Sequence, residues 1–320
     1  MSFKKMSLLD NHLSSMTAKS VLEEELYFSK IILMQEKKAE VLIKKLDGTV
    51  QPFDEEKLRL SLDRSGASPG AIEYIVTHIN NELSEGMTTS HIYKRAYKLL
   101  KEKEETSAPA ARYSLKRAVM ELGPTGFPFE RFVGEIFKIK GYKITLGSIL
   151  EGVCASHEID ILAEKGDELV LIETKFHNEL KVKSDLKVAL YVRARYDDLE
   201  KNNFTGQLKE KQKHQCWIIT NTSFTKNAAK YGKCANMEMI GWSRPVGRSL
   251  QDLIEETALH PLTCLTALSV SEKNNILKTG NVLCRDVKNN PSLLESTGLS
   301  SKKASSVLEE ISRVCVPRTH

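Results

Sequence analysis

The chain has 320 residues, 41 % hydrophobic and 28 % charged, and 47 Lys and Arg against 42 Asp and Glu leave a formal net charge of +5. That length holds two or three domains with cores of their own, and the basic excess leans mildly toward a partner of negative charge such as nucleic acid. The six cysteines, at 154, 216, 234, 264, 284 and 315, form no Cys-x-x-Cys pair and no zinc-ligand spacing, so they read as reduced, mostly buried thiols. The longest apolar run near the start, Ile31 to Met34, is too short to span a bilayer and carries no signal pattern, so a cytoplasmic protein with no membrane partner is expected.

Residues 1–40 read as an N-terminal extension, rich in Ser, Lys and Met, that ends in one amphipathic helix, VLEEELYFSKIILMQ. VLIKKLDGTVQPFDEEKLRLSL then gives a strand, an Asp-Gly turn, a second short strand and a helix whose first turn carries Asp54 and Glu55. Helices follow over about 70–84 and 88–102, the second after the capping residues Thr88-Thr89-Ser90. A further helix, APAARYSLKRAVMELG, stops at Gly123-Pro124. The Gly-Pro-Thr-Gly stretch is the clearest punctuation in the chain and sets a domain boundary near residue 122. From there the order is helix (FERFVGEIFKIKGY), strand, a two-stranded hairpin, a basic helical region, strand (CWIITN), helix (SFTKNAAKYG) and strand (MEMIGW). This is an α/β domain over 123–260. Residues 261–320 read as a small helical tail, broken at Gly280, Pro291 and Gly298.

The hairpin HEIDILAEKGDELVLIETKFHN puts charge where a strand should carry apolar residues. Alternation places Glu173 and Lys175 on one face, Asp160 can sit across from them, and the preceding run LVLI marks a buried strand. Burying carboxylates without partners is very costly, so something must neutralise them. A hard divalent ion, Mg²⁺ or Mn²⁺, is the natural answer, since Mg²⁺ takes one or two protein carboxylates plus water and phosphate oxygen. In that scheme Asp160 and Glu173 are metal ligands, and Lys175 positions or helps deprotonate the attacking water. Glu130 completes the shell, and Glu158, on the face of Asp160, is a second-rank ligand. Taken alone, Glu-x-Lys on a strand is usually an exposed ion pair. His157 reads as a structural histidine, and His177 suits either a phosphate contact or an internal hydrogen bond.

Asp160-x₁₂-Glu173-x-Lys175 on a hairpin, after a helix carrying Phe129-Glu130, resembles the PD-(D/E)xK nuclease core. FPFERFVGEIFKIKGYK, HEIDILA, IETKFHN and WIITNTSFTKNAAKYG together resemble the Mrr-type restriction endonuclease domain, from residue 124 to about 245. The resemblance implies a restriction-endonuclease-like mixed sheet flanked by helices and metal-dependent hydrolysis of DNA phosphodiesters. Two positions depart from the pattern: Ile159 stands where the motif has proline, and Glu173 where many Mrr-type domains have glutamine. Downstream, Lys181, Lys183, Lys187, Arg193 and Arg195 interleave with Tyr191 and Tyr196; composition alone suits a solvated basic helix nearly as well, and adjacency to the nuclease-like site tips the reading to the phosphate backbone of DNA.

Residues 41–122 resemble an ATP-cone, the allosteric nucleotide-binding module of ribonucleotide reductases, through Lys44-Lys45-Leu46-Asp47-Gly48, Pro52-Phe53-Asp54 and Lys57. The resemblance implies ATP or dATP as an allosteric ligand, with Lys44, Lys45 and Lys57 at the phosphates and His78 near the nucleotide, and a nucleotide-dependent homo-oligomer. There is no P-loop, so nucleotide is expected to regulate rather than to drive a motor. LLESTGLSSKKASSVLEEI resembles half of a helix-hairpin-helix element, which implies a DNA phosphate contact from Gly298, Ser300, Ser301 and Lys302. The whole reads as an ATP-cone, an α/β nuclease domain and a helical DNA-binding tail. The competing reading is a nucleotide-sensing DNA-binding regulator with a non-cleaving nuclease fold, and RNA stays open as substrate.

Overall fold

The computed structural model describes residues 41–202 and 213–316. The expected N-terminal amphipathic helix and the last part of the basic region, 203–212, lie outside the described residues. The chain divides into two compact units. One holds the described residues up to Leu60 together with Ile72–Ala96, and the other holds Ser61–Ala71 together with the chain from Tyr97 onward.

In the first unit β1 (Leu42–Lys44) pairs antiparallel with β2 (Val50–Pro52). Asp47 makes the turn between them by accepting from the Thr49 N–H at 3.1 Å and the Thr49 hydroxyl at 2.6 Å, and Gly48 supplies the positive φ of 83°. The helices α1 (Glu55–Ser65), α2 (Pro69–Glu82) and α3 (Thr89–Lys103) follow. Within this unit Ile43, Leu58, Ile75, Val76, Ile79, Ile92 and Ala96 are buried. Asp54 caps α1 by accepting from the Lys57 N–H at 3.1 Å.

The second unit contains α4 (Ala108–Tyr113) and α5 (Leu115–Met120). The single helix expected there is split at Ser114, whose hydroxyl donates to the Ala111 carbonyl at 2.8 Å and so competes with the helical ladder. Next come α6 (Phe127–Ile139), β3 (Lys143–Glu151), β4 (Ser156–Lys165), β5 (Glu168–Lys175), β6 (Lys183–Ser184), α7 (Leu186–Lys201), β7 (Lys213–Thr220), β8 (Ser223–Phe224), α8 (Lys226–Cys234) and β9 (Met237–Ile240). The main sheet has the order β3-β4-β5-β7-β9. The first three strands are antiparallel neighbours, and β5, β7 and β9 run parallel. It is a mixed sheet flanked by helices. Ile161, Ala163, Val170, Ile172, Ile219 and Ile240 face one side, against Phe129, Phe132, Val133 and Ile136 of α6. Leu162, Leu169, Leu171, Cys216 and Ile218 face the other, against Ala189, Val192, Tyr196 and Leu199 of α7. Burial on both faces explains why β5 reads LVLI instead of alternating.

The chain ends with α9 (Leu250–Thr257), a 3₁₀ turn (Leu262–Cys264), α10 (Val270–Lys278), α11 (Cys284–Asn289), α12 (Ser292–Glu295) and α13 (Ser301–Val314). Packing does not stop at residue 122 or at 260: one apolar core runs from Ala108 and Leu122 through α6 and the sheet to Leu283, Val307 and Val314. Glu310 of α13 is only 4 % exposed, yet its carboxylate is fully engaged. It accepts from the Thr266 N–H and hydroxyl, each at 2.8 Å, and from the Ala267 N–H at 3.0 Å. No helix of the described residues is long and apolar enough to cross a membrane.

Candidate active site

The β4–β5 ladder pairs Ile161 with Ile172, and one step further along the same register Asp160 stands opposite Glu173. At that step the ladder stops. The Thr174 N–H, which would bond a backbone carbonyl in a continuing sheet, donates instead to Asp160 Oδ2 at 2.8 Å, and the Thr174 hydroxyl donates to the same oxygen at 3.0 Å. Asp160 is thus wedged where the strands part, and Glu173 and Lys175 sit on the last turn of pleat before the loop.

Glu173 is shielded, its side chain 15 % exposed, and Arg195 of α7 donates to its Oε2 at 2.8 Å. Burial pushes the Glu173 carboxyl up to about 7, the Asp160 charge adds to the rise, and Arg195 and Lys175 oppose it. Glu130, on the first turn of α6, is pushed up to about 6 by burial and then by the charges of Asp160 and Glu158. Four carboxylates therefore share one electrostatic neighbourhood, with Asp160 at its centre. Lys175 makes no ion pair among the described residues, and its backbone carbonyl is held by the Thr220 hydroxyl at 2.7 Å.

The loop after Lys175 is held from below. Asn221 accepts from the His177 N–H at 2.9 Å and donates to the His177 carbonyl at 2.8 Å, while the His177 ring meets the buried Ser184 hydroxyl at 2.9 Å. His177 thus makes the internal hydrogen bond, and burial with the nearby Lys175 lowers its pKa. Gly123 closes over this loop: a Cβ there would meet Asn178 Oδ1 at 2.6 Å and the Phe176 ring at 2.7 Å. The Gly-Pro punctuation is therefore also a close-packing requirement beside the site.

His157 is structural, its Nε2 lying 2.8 Å from Asp198 Oδ2. Asp198 also accepts from the Cys154 and Ala155 N–H groups and so fastens the β3–β4 turn. Glu158 is exposed on the rim.

The other predicted residues lie as follows. Lys183 and Lys187 are exposed at the start of the α7 region. Arg193 turns inward, donating to the Ala235 carbonyl at 3.1 Å and pairing with Asp197 at 2.5 Å. Arg195 is 11 % exposed and belongs to the carboxylate site, not to the outer basic face where its sequence neighbours put it. Gly298 takes a positive φ of 73° just before Ser300, which caps α13, and Lys302 is exposed on the first turn. In the first unit Lys44 and Lys45 are exposed on the hairpin and Lys57 pairs with Asp54 at 2.6 Å. His78 Nδ1 donates to the Tyr74 carbonyl at 2.8 Å. Sequence reasoning missed Thr174 as the partner of Asp160 and Asn221 as the anchor of the loop; Thr174 lies in the last residues of β5 and Asn221 just after β7, and a Thr or Asn at a strand end is a signal too general to single them out.

The donor set suits a hard cation: acidic oxygens in a half-buried, mutually repelling group, with room in the chemistry for water and phosphate oxygen. Among the described residues no three His, Cys, Asp or Glu side chains form a ready coordination cage. A groove of about 1290 Å³ opens elsewhere, beside Arg193, Trp217, Met239 and Arg248, and none of Asp160, Glu173 or Lys175 lines it.

A family described as "Restriction endonuclease" matches residues 124–244, and one described as "AF1548-like, C-terminal" matches residues 260–315. An uncharacterized protein of Archaeoglobus fulgidus is 37 % identical over 175 residues, which cover 54 % of this chain and 94 % of that protein. The crystal structure of AF1548, a protein of unknown function, aligns at 34 % identity with a TM-score of 0.48 over 60 % of this chain and 98 % of the other. The MspJI restriction endonuclease in complex with a 27-mer oligonucleotide aligns at 13 % identity with a TM-score of 0.28 over 54 % of this chain and 38 % of that one.

Proposed function

The chain belongs to the same family as the Archaeoglobus fulgidus protein that it spans almost end to end, with a restriction-endonuclease-like domain followed by an AF1548-like C-terminal domain, and on that premise we propose that it is a metal-dependent DNA endonuclease. The observation that carries the reading is the parting of β4 and β5 at Asp160 and Glu173, with Lys175 beside them. Asp160 and Glu173 would hold Mg²⁺ or Mn²⁺, and Glu130, which feels the charges of Asp160 and Glu158, would join them through water, with Glu158 as a second-rank ligand. The bound ion would supply Lewis-acid polarisation of the scissile phosphate. Lys175 orients the attacking water and offsets charge that develops on the phosphate oxygens. Thr174 fixes the Asp160 carboxylate, and Arg195 favours the ionised form of Glu173 and aims it. Lys183, Lys187 and, on the tail, Gly298 and Lys302 would hold the DNA backbone, a role that their exposure allows.

Residues 41–122 would act as an ATP-cone that binds ATP or dATP and sets activity or assembly. What supports this is the Lys44–Lys45 pair, exposed on a short hairpin that leads into a capped helix. A second reading, a DNA-binding regulator that does not cut, is favoured by one feature: the guanidinium of Arg195 already neutralises Glu173.

The experiment is cleavage of supercoiled plasmid by the wild type and Asp160→Ala, with Mg²⁺ or Mn²⁺, and with ATP, dATP or neither. Metal-dependent cutting that the substitution abolishes supports the nuclease, and a change with nucleotide supports the cone. Binding of DNA by both proteins without cutting under any metal supports the regulator.

A further inference from the structure

The cysteines that sequence spacing scatters are partly reunited in the C-terminal part of the fold. The backbone of His260–Leu262 pairs with that of Val282–Cys284: Leu262 N–H donates to the Val282 carbonyl at 2.8 Å and Cys284 N–H to the His260 carbonyl at 3.0 Å. This brings the Cys264 and Cys284 sulfurs to 3.7 Å inside the core, where the residues are 2 % and 0 % exposed. Cys315, at the C-cap of α13, lies in hydrogen-bonding reach of Cys284 and of His260, and it is partly exposed. Among the described residues no three His, Cys, Asp or Glu side chains group as a metal site.

We propose that Cys315, Cys284 and Cys264 form a thiol relay, with Cys315 the site of modification by a hydroperoxide and the oxidation passed inward as a disulfide. The Cys315 sulfur attacks the terminal peroxide oxygen, the O–O bond breaks, and an alcohol leaves with a proton, so that Cys315 becomes a sulfenic acid. Cys284 then attacks the Cys315 sulfur, the S–O bond breaks, and the Cys284 proton leaves with hydroxide as water. Attack by Cys264 on the Cys284 sulfur passes the disulfide to Cys264–Cys284 and returns Cys315 as a thiolate, with the Cys264 proton released to solvent. Two thiols are oxidised by two electrons, and one peroxide is reduced to alcohol and water.

The entry residue is set apart by its surroundings. The hydrogen bond to Cys284, then His260 and Lys288, hold the Cys315 thiol down to about 5 against the opposing effect of burial. Burial pushes Cys284 up, so it stays a thiol until the Cys315 sulfur beside it is oxidised. Cys154 and Cys234 are more exposed, and the Asp198 carboxylate beside Cys154 raises its pKa. Exposure alone therefore ranks Cys315 below those two, and the relay ranks it first.

The test uses the reduced full-length protein. With limiting iodoacetamide near pH 6, peptide mass mapping should find Cys315 labelled roughly tenfold faster than Cys234 or Cys154, the gain in thiolate fraction being partly offset by its lower nucleophilicity. With substoichiometric hydrogen peroxide, Cys284–Cys315 linked peptides should appear first and Cys264–Cys284 linked peptides later. Cys284→Ala should stop the reaction at a Cys315 sulfenic acid trapped by dimedone. The wild-type mapping needs no variant to fold. Faster labelling of Cys154 or Cys234, peroxide products confined to those two, or stoichiometric zinc held by silent thiols would each overturn the relay.

Discussion

Arg195 is the residue whose removal should reveal the most about the site. Arg195→Met keeps the apolar stem and deletes the cation that donates to Glu173 at 2.8 Å, leaving a carboxylate whose side chain is 15 % exposed. Stranding a buried charge costs about 3–5 kcal/mol when the charge must persist. Glu173 has an escape, because its pKa already stands near 7 and without Arg195 would rise further, so the carboxyl takes up a proton. The cost at pH 7 then falls to that of one charge-assisted hydrogen bond, about 2 kcal/mol. The sign with pH follows from linkage. A carboxyl whose folded pKa is raised contributes stability below its unfolded pKa and loses it as pH rises through the folded value. The wild type sheds this contribution between about 4.5 and 7, whereas the variant should go on losing up to ~1.4 kcal/mol per pH unit above 7. Urea unfolding at several pH values, with and without MgCl₂, measures both, and Mg²⁺ should return part of the loss in the variant. A variant as stable as the wild type at every pH, and indifferent to Mg²⁺, would refute the description of this pair as the buried electrostatic centre.

Other perturbations reach different links. Glu310→Ala strips three hydrogen bonds from Thr266 and Ala267 and leaves two part-buried backbone N–H groups without that partner. It should cost about 3 kcal/mol, read as a lower urea midpoint, and a loss under about 0.5 kcal/mol would mean that solvent reaches the clamp. Glu272, held down to about 2 chiefly by Lys303 and the Ser269 cap, and Asp198, held to about 2 chiefly by His157, have depressed pKa values. They contribute stability above their ordinary range that is lost as pH falls from about 4.5 to about 2. Melting temperatures across that window should therefore drop less steeply in a Glu272→Gln, Asp198→Asn double variant than in the wild type. Light scattering with and without dATP should register a change of mass if the hairpin lysines bind nucleotide and govern assembly; the same mass in both conditions would remove that proposal.

What could be read in the sequence was whatever depends on local period and composition. LVLI before Glu173 announced a strand buried on both faces, and the x₁₂ spacing set Asp160 across from Glu173 because a tight hairpin preserves register. Arg195 was misplaced because its charge, read beside Arg193 and Lys187, suggested an outer basic face. Only the way α7 lies on the sheet turns it toward Glu173. Ser114 interrupts a helix that propensity alone would continue, since a side-chain hydrogen bond to Ala111 is a choice between near-equal partners. The approach of Cys264, Cys284 and Cys315 depends on backbone pairing between segments 20 residues apart and on the packing of α13 against α11, and no spacing rule anticipates it.

We propose that the paired strand ends at Asp160, Glu173 and Lys175 break DNA. This is tested most directly by comparing the wild type with Lys175→Met in single-turnover cleavage of end-labelled duplex DNA under Mg²⁺ or Mn²⁺, with DNA binding measured in parallel. The account predicts cutting by the wild type, a loss of at least about a hundredfold in the variant, and binding that changes little. Cutting by Lys175→Met at the wild-type rate would contradict it.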